Sequence, residues 1–196
     1  MQSTRVFCWS FSSQKSNQTP TRGAVASVSI MKSVVYYDGL VKKTIDYQDK
    51  ATRLGAIDGY LNAMVTSISI PDWVTSIENK AFYYSNLVYC EIPSSVHYSG
   101  NKCFCGSAIE SIIIPPSITV IPEYCFCHAS SLTTVVIPDS VTHIMQYAFA
   151  GCQSLTNISI PEYVAVYNNV FEFCPLLEAK SSSFNMSVID YLREDP

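Results

Sequence analysis

Two Cys-Phe-Cys triplets, Cys103-Phe104-Cys105 and Cys125-Phe126-Cys127, carry the most obvious chemistry in this chain, and His128 follows the second directly. They lie 22 residues apart, so a fold that stacks residues at that period brings Cys103 to Cys125 and Cys105 to Cys127. Three outcomes are open to such a cluster: buried free thiols that pack as small apolar groups, disulfides in an oxidising compartment, or a zinc site. Structural zinc ordinarily has about two to four residues between paired ligands, and each triplet has one. Cys103 and Cys125 also occupy places taken elsewhere by Ala81 and Ala148, which favours buried free thiols. The histidines His97, His128 and His143 stand at non-equivalent places, without an accompanying Ser, Cys or carboxylate motif and without a glycine-rich phosphate loop. The expectation is therefore no enzyme, no metal and no cofactor.

A second group of residues could serve recognition. If short strands recur with the same period, the side chains pointing away from the core form two columns. One is Ser67, Tyr89, Ser111, Thr134 and Asn157; the other is Ser69, Glu91, Ile113, Val136 and Ser159. The surface is hydroxyl-rich, with an apolar centre at Ile113 and Val136 flanked by Tyr89. That chemistry suits a neutral protein or glycan partner. The blander reading, which the composition favours, is a solvated β-ladder in which Ser and Thr are simply good strand residues.

Both groups depend on a repeat. An apolar-Pro dipeptide, Ile-Pro each time, recurs at Pro71, Pro93, Pro115, Pro138 and Pro161, in steps of 22, 22, 23 and 23 residues. A strand of the form apolar-x-x-apolar-x-apolar precedes each proline: Val65/Ile68/Ile70, Leu87/Cys90/Ile92, Ile109/Ile112/Ile114, Leu132/Val135/Ile137 and Leu155/Ile158/Ile160. Alternation over the last three positions turns the apolar pair to one face, and proline ends the strand because it cannot donate to the ladder. A second apolar pair follows at Val74/Ile77, Ile118/Ile121 and Val141/Ile144, with Val96/Ser99 and Val164/Tyr167 as variants. A short turn, expected to be helical, then carries Phe82, Phe104, Phe126, Phe149 or Phe171, with Ser85, Ser107, Ala129, Cys152 or Cys174 three residues later. One such unit cannot bury its own apolar face, but stacked copies can, with equivalent side chains about 5 Å apart. Strands joined by the same crossover must be parallel, and the superhelix right-handed.

The flanks read differently. Residues 1–23 are expected to be a mobile tail, and 24–62 an N-terminal cap, either a hairpin turning at Asp38-Gly39 or a decayed repeat. Residues 63–179 are the array of about five copies. Leu176 and Leu177 look like the start of a sixth strand that does not complete, and 180–196 form a C-terminal tail or cap with a brief acidic helix from Asn185. Among 196 residues, 14% are charged and 48% apolar, with a net charge of −4. These values suit a folded chain and provide no basic stripe for nucleic acid. No apolar run reaches the ~20 residues of a membrane span, and no clear signal peptide is visible, so localisation is left open. Asn17, Asn157 and Asn185 open N-x-Ser/Thr triplets that matter only for a secreted chain.

The repeat resembles the leucine-rich repeat superfamily, and the order Ile-Pro-x-x-Val-x-x-Ile, Ala-Phe, Cys, Leu resembles its BspA-like class of surface antigens. Leu132, Val135, Ile137, Pro138, Val141, Ile144, Ala148, Phe149, Cys152, Leu155, Ile158 and Ile160 match every class position. The likeness spans roughly 65–177; it departs at Ser99 and lacks an asparagine ladder after the strands. It implies an α/β, right-handed leucine-rich-repeat solenoid, with a parallel β-sheet on the concave face and short helical or irregular segments opposite. It also implies adhesion-type binding of a protein or glycan through that sheet, at the cell surface or after secretion, and no catalytic residues. The alternative is a structural or truncated repeat-array fragment without a ligand of its own.

Overall fold

The computed structural model describes residues 5–6, 32–38, 41–47, 53–55 and 63–180. The strands preceding the array are β1 (Arg5–Val6), β2 (Lys32–Asp38), β3 (Val41–Tyr47) and β4 (Arg53–Leu54). Five rungs follow, each with one strand from two ladders. They are β5 (Ser67–Ser69) and β6 (Ser76–Ile77), β7 (Tyr89–Glu91) and β8 (Tyr98–Ser99), β9 (Ser111–Ile113) and β10 (Val120–Ile121), β11 (Thr134–Val136) and β12 (His143–Ile144), then β13 (Asn157–Ser159) and β14 (Ala165–Val166). Helix α1 (Pro175–Lys180) closes the described chain. The architecture is a solenoid of stacked parallel strands with little helix.

The core is the stack anticipated from the period. Phe82, Phe104, Phe126, Phe149 and Phe171 lie ring over ring, with centroids 5.1, 5.3, 5.3 and 5.7 Å apart and planes within 18° of parallel. These spacings match the rise from strand to strand, so one translation satisfies the backbone ladder and the offset aromatic stack together. The middle residues of the first-ladder strands, Ile68, Cys90, Ile112, Val135 and Ile158, are buried beside that column.

The segment carrying each phenylalanine is a pair of tight turns, where a helical turn was expected. Phe82, Phe104, Phe126 and Phe149 donate N–H to the next rung, to the carbonyls of Cys103, Cys125, Ala148 and Val170, at 2.7 to 3.0 Å. Between them, residues such as Cys105 close back on Lys102 three positions earlier, at 3.2 Å. Alternate amides therefore point along the stack, which no helix permits. Each rung passes through the left-handed region twice, at Lys80/Tyr84, Lys102/Gly106, Tyr124/His128, Tyr147/Gly151 and Asn169/Phe173. Glycine is needed at 106 and 151 for a further reason. The Tyr84 ring covers Gly106 and the His128 ring covers Gly151, at 2.6 and 2.5 Å from where a Cβ would stand.

One inter-rung gap lacks strand pairing, although Lys102, Phe104 and Gly106 still donate across it in the turns, to Glu123, Cys125 and Cys127. β7 and β9 are not hydrogen-bonded neighbours, nor are β8 and β10, so both ladders divide between the second and third rungs. Residue types explain the second break. Elsewhere the residue after the short strand donates to the previous rung, Glu78 to Leu54 at 2.8 Å, Gly100 to Ile77 at 2.9 Å and Met145 to Ile121 at 2.9 Å. The corresponding donor to Ser99 would be Pro122, which has no N–H. In the first ladder Glu110 still donates to Val88 at 3.1 Å, at the entrance to the gap.

Several expectations need correction. β2 and β3 form an antiparallel hairpin whose innermost pair is Asp38 with Val41, and the turn between them lies outside the described residues. β2 lies antiparallel on β5, while β4 continues the second ladder by pairing with β6 and buries Leu54. This half rung lacks the Ile-Pro marker and so escaped the sequence reading. In the last rung Val166 pairs with Ile144, and Tyr167 is 43% exposed. Pro161 to Phe171 is one residue shorter than Pro138 to Phe149, which shifts the apolar position from 167 to 166. Leu176 and Leu177 belong to α1, not to a sixth strand; Pro175 opens it, a position where the missing N–H costs nothing. Most of the expected tail 1–23 lies outside the described residues, although Arg5–Val6 pairs parallel with β3. The acidic helix expected from Asn185 also lies outside them.

Candidate functional site

The first ladder presents the ten residues picked from the sequence on its outer face. Strict alternation places Ile68, Cys90, Ile112, Val135 and Ile158 inward, so their neighbours point out. Ser67 stands beside Tyr89 and Ser69 beside Glu91. Ser111, Thr134 and Asn157 form one row across three strands, and Ile113, Val136 and Ser159 form the next. The missing strand pairing falls between β7 and β9, which still pack side by side, and divides the columns into two patches of one face. One patch is Ser67, Ser69, Tyr89 and Glu91 beside the hairpin, and the other is the six residues from β9, β11 and β13. Ile113 is 69% exposed, Val136 48% and Tyr89 57%. Glu91 is the one charged side chain of the ten, so the face carries little long-range electrostatic field.

The cysteines come together in pairs. Cys103 and Cys125 Sγ atoms are 3.3 Å apart inside the main core, and Ser99 Oγ lies 3.1 Å from the first and 3.9 Å from the second. Cys105 and Cys127 hydrogen-bond in a separate small cluster with Ala150, against Tyr124 and Tyr147. Residues two apart on a turn project to different sides, so the four thiols do not converge. Among the described residues no three Cys, His, Asp or Glu side chains are grouped to hold a metal ion. All seven described cysteines are buried, and none of them forms a disulfide. Burial pushes the Cys125 and Cys90 thiols up. Cys127 is drawn down by the hydrogen bond from Cys105 and by the nearby Lys102 ammonium.

Sequence reasoning did not foresee why cysteine replaces alanine in the rung of Ser99 and in the next one. Their thiols partner a hydroxyl that would otherwise be stranded in the core. The three histidines remain apart. His128 covers Gly151, His143 Nδ1 meets the Thr142 hydroxyl at 2.8 Å, and His97 Nδ1 meets the Ser95 carbonyl.

The geometry is shared with known proteins. The chain is similar in structure to a leucine-rich repeat protein of T. pallidum, with TM-score 0.52 and 23% identity over 60% of this chain and 59% of that one. It is also similar to a leucine-rich cell surface protein from Faecalibacterium prausnitzii, with TM-score 0.50 and 26% identity over 73% and 44%. The pneumococcal vaccine antigen PcpA aligns with TM-score 0.54 and 22% identity over 67% and 35%. In each case the chain spans less than two thirds of the other protein's length. Among curated proteins none matches. The described residues contain no helix long and apolar enough to cross a membrane. The model for the BspA-type leucine-rich repeat region matches residues 59–178 as six copies, one more than the Ile-Pro markers count. With more than half of its length matched and its rungs stacked in register, this chain belongs to the BspA-type leucine-rich repeat family.

Proposed function

We propose that this chain is a non-catalytic interaction module of adhesion type, binding a protein or glycan partner through the outward columns of the first ladder. One observation carries the reading. Ile113 and Val136 stand side by side on adjacent strands, strongly exposed, on a nearly uncharged sheet with Tyr89 across the gap. Exposed aliphatic pairs inside a polar rim are what recognition surfaces desolvate on binding. The family adds support, because leucine-rich repeat proteins typically bind proteins and their fold is generally non-enzymatic. A setting at the cell surface or in the secreted fraction is part of the proposal, supported by the F. prausnitzii relative.

The test is a binding screen of the full chain against matrix proteins, glycans and whole cells. Replacing Tyr89, Ile113 and Val136 together by glutamate should abolish binding while leaving the melting temperature within a few degrees. Undiminished binding by the triple variant removes the first ladder as the site. Staining of intact against permeabilised source cells tests the location, and signal only after permeabilisation would overturn it.

A further inference from the structure

Where β8 and β10 are not paired, the second ladder carries a cleft of about 420 Å³, within the range of small-ligand sites. Ser99 and Pro122 line it at the break, where proline has no N–H to give the Ser99 carbonyl as the other rungs do. Val120 and Met145 give it an apolar side. Asn101 and Glu123 give it a polar rim, joined by a 3.4 Å amide-to-carboxylate contact long enough to be exchanged for a ligand. Tyr98, 54% exposed, forms one wall. The same tyrosine also lines a second depression of about 260 Å³ whose other walls are Arg53, Glu78 and Asn79. The two depressions are linked beneath, because Asn79 Oδ1 accepts the Asn101 N–H at 2.9 Å.

This arrangement discriminates between ligand classes. Carboxylates stand on both sides, and the Arg53 guanidinium is held by Glu78 at 3.1 Å, so an anion is disfavoured. A purely apolar ligand would take the rim amides and carboxylates out of water without offering them a new partner. A metal ion would need converging carboxylates, and no such group exists among the described residues. A sugar ring has an apolar C–H face and a periphery of hydroxyls that both donate and accept. It matches an exposed aromatic ring set between polar hollows.

We propose that this flank is a binding site for a neutral oligosaccharide, with Tyr98 as the stacking platform between two sugar-sized depressions. The site lies on a different ladder from the face proposed above, and either can fail without the other. The experiment is calorimetric and saturation-transfer titration of the full chain with maltose, cellobiose, lactose and chitobiose, with a glucuronate-containing disaccharide as the charged control. At least one neutral probe should bind with millimolar or better affinity. Tyr98→Ala should weaken it about tenfold and Glu123→Gln several-fold, whereas the Tyr89/Ile113/Val136 triple variant should bind as wild type. The proposal is overturned if no neutral probe binds up to about 10 mM, if the charged control binds equally well, or if neither cleft substitution weakens binding. Loss of sugar binding in the triple variant would overturn it too, by assigning the sugar to the first ladder.

Discussion

Ser85 and Ser99 are both hydroxyls placed in an apolar column, and their surroundings differ. Ser99 finds two thiols, whereas the buried Ser85 hydroxyl has no hydrogen-bond partner. Ala129 fills the position equivalent to Ser85 two rungs on without disturbance. Ser85→Ala should therefore raise stability by about 1 kcal/mol, because it removes a desolvated polar atom and leaves no void. Chemical denaturation would read this as a higher midpoint at unchanged slope. The thiols give a pH dependence with a definite sign. The buried Cys90, Cys125 and Cys152 have folded pKa values above the ordinary thiol range, so the fold prefers their protonated forms. Their contribution is complete below the unfolded thiol pKa and is lost as pH climbs from there toward the folded values. Cys127 runs the opposite way, since its folded value is lowered and its contribution is present above the unfolded pKa. Cys105, its hydrogen-bond partner, is raised by that same bond and by burial, so four raised groups outweigh one lowered and a reduced sample should melt at progressively lower temperature above about pH 9. A midpoint that stays level from neutral pH through that range would contradict this assignment.

At the scale of elements, Pro122 has the largest local effect. Proline is neutral in a turn but removes one bond when its nitrogen faces a neighbouring strand. Pro122→Ala should restore the donor to Ser99 and lace β8 to β10. The new amide would gain a hydrogen bond worth about 1 kcal/mol, offset by about 0.4–1 kcal/mol from the freer unfolded chain. Stability should therefore stay nearly level while the residue-122 amide becomes protected from hydrogen exchange. Rapid exchange at that amide would show that something other than the missing N–H holds the gap open. The paired left-handed residues of each turn belong to the same scale. Each non-glycine instance costs on the order of 1 kcal/mol, and the inter-rung amide bonds offset it.

For the molecule as a whole, nearest-neighbour stacking makes stability a sum over rungs and their interfaces, so the ends matter most. β2 covers the edge of β5 that the first rung would otherwise offer to another chain. Deleting residues 1–47 should leave the rungs intact but convert a monodisperse species into concentration-dependent oligomers, measured by light scattering after size exclusion. A strictly monomeric deletion variant would show that the hairpin does not protect that edge.

The 22- to 23-residue spacing of Ile-Pro and the recurrent phenylalanine made the stack, the core column and the outward residues legible in the sequence alone. Side chains that repeat with the rung have no other common place to be buried. The half rung at Leu54, the shift to Val166, the helix at Pro175 and the non-helical turns were not legible. Each departs from the period by a residue or by a marker, and only the competition among neighbouring rungs for hydrogen bonds decided them. The same holds for the division of the ladders: proline at 122 is plain in the sequence, but the carbonyl it fails to meet belongs to a residue 23 positions earlier, and tertiary stacking alone brings the two face to face.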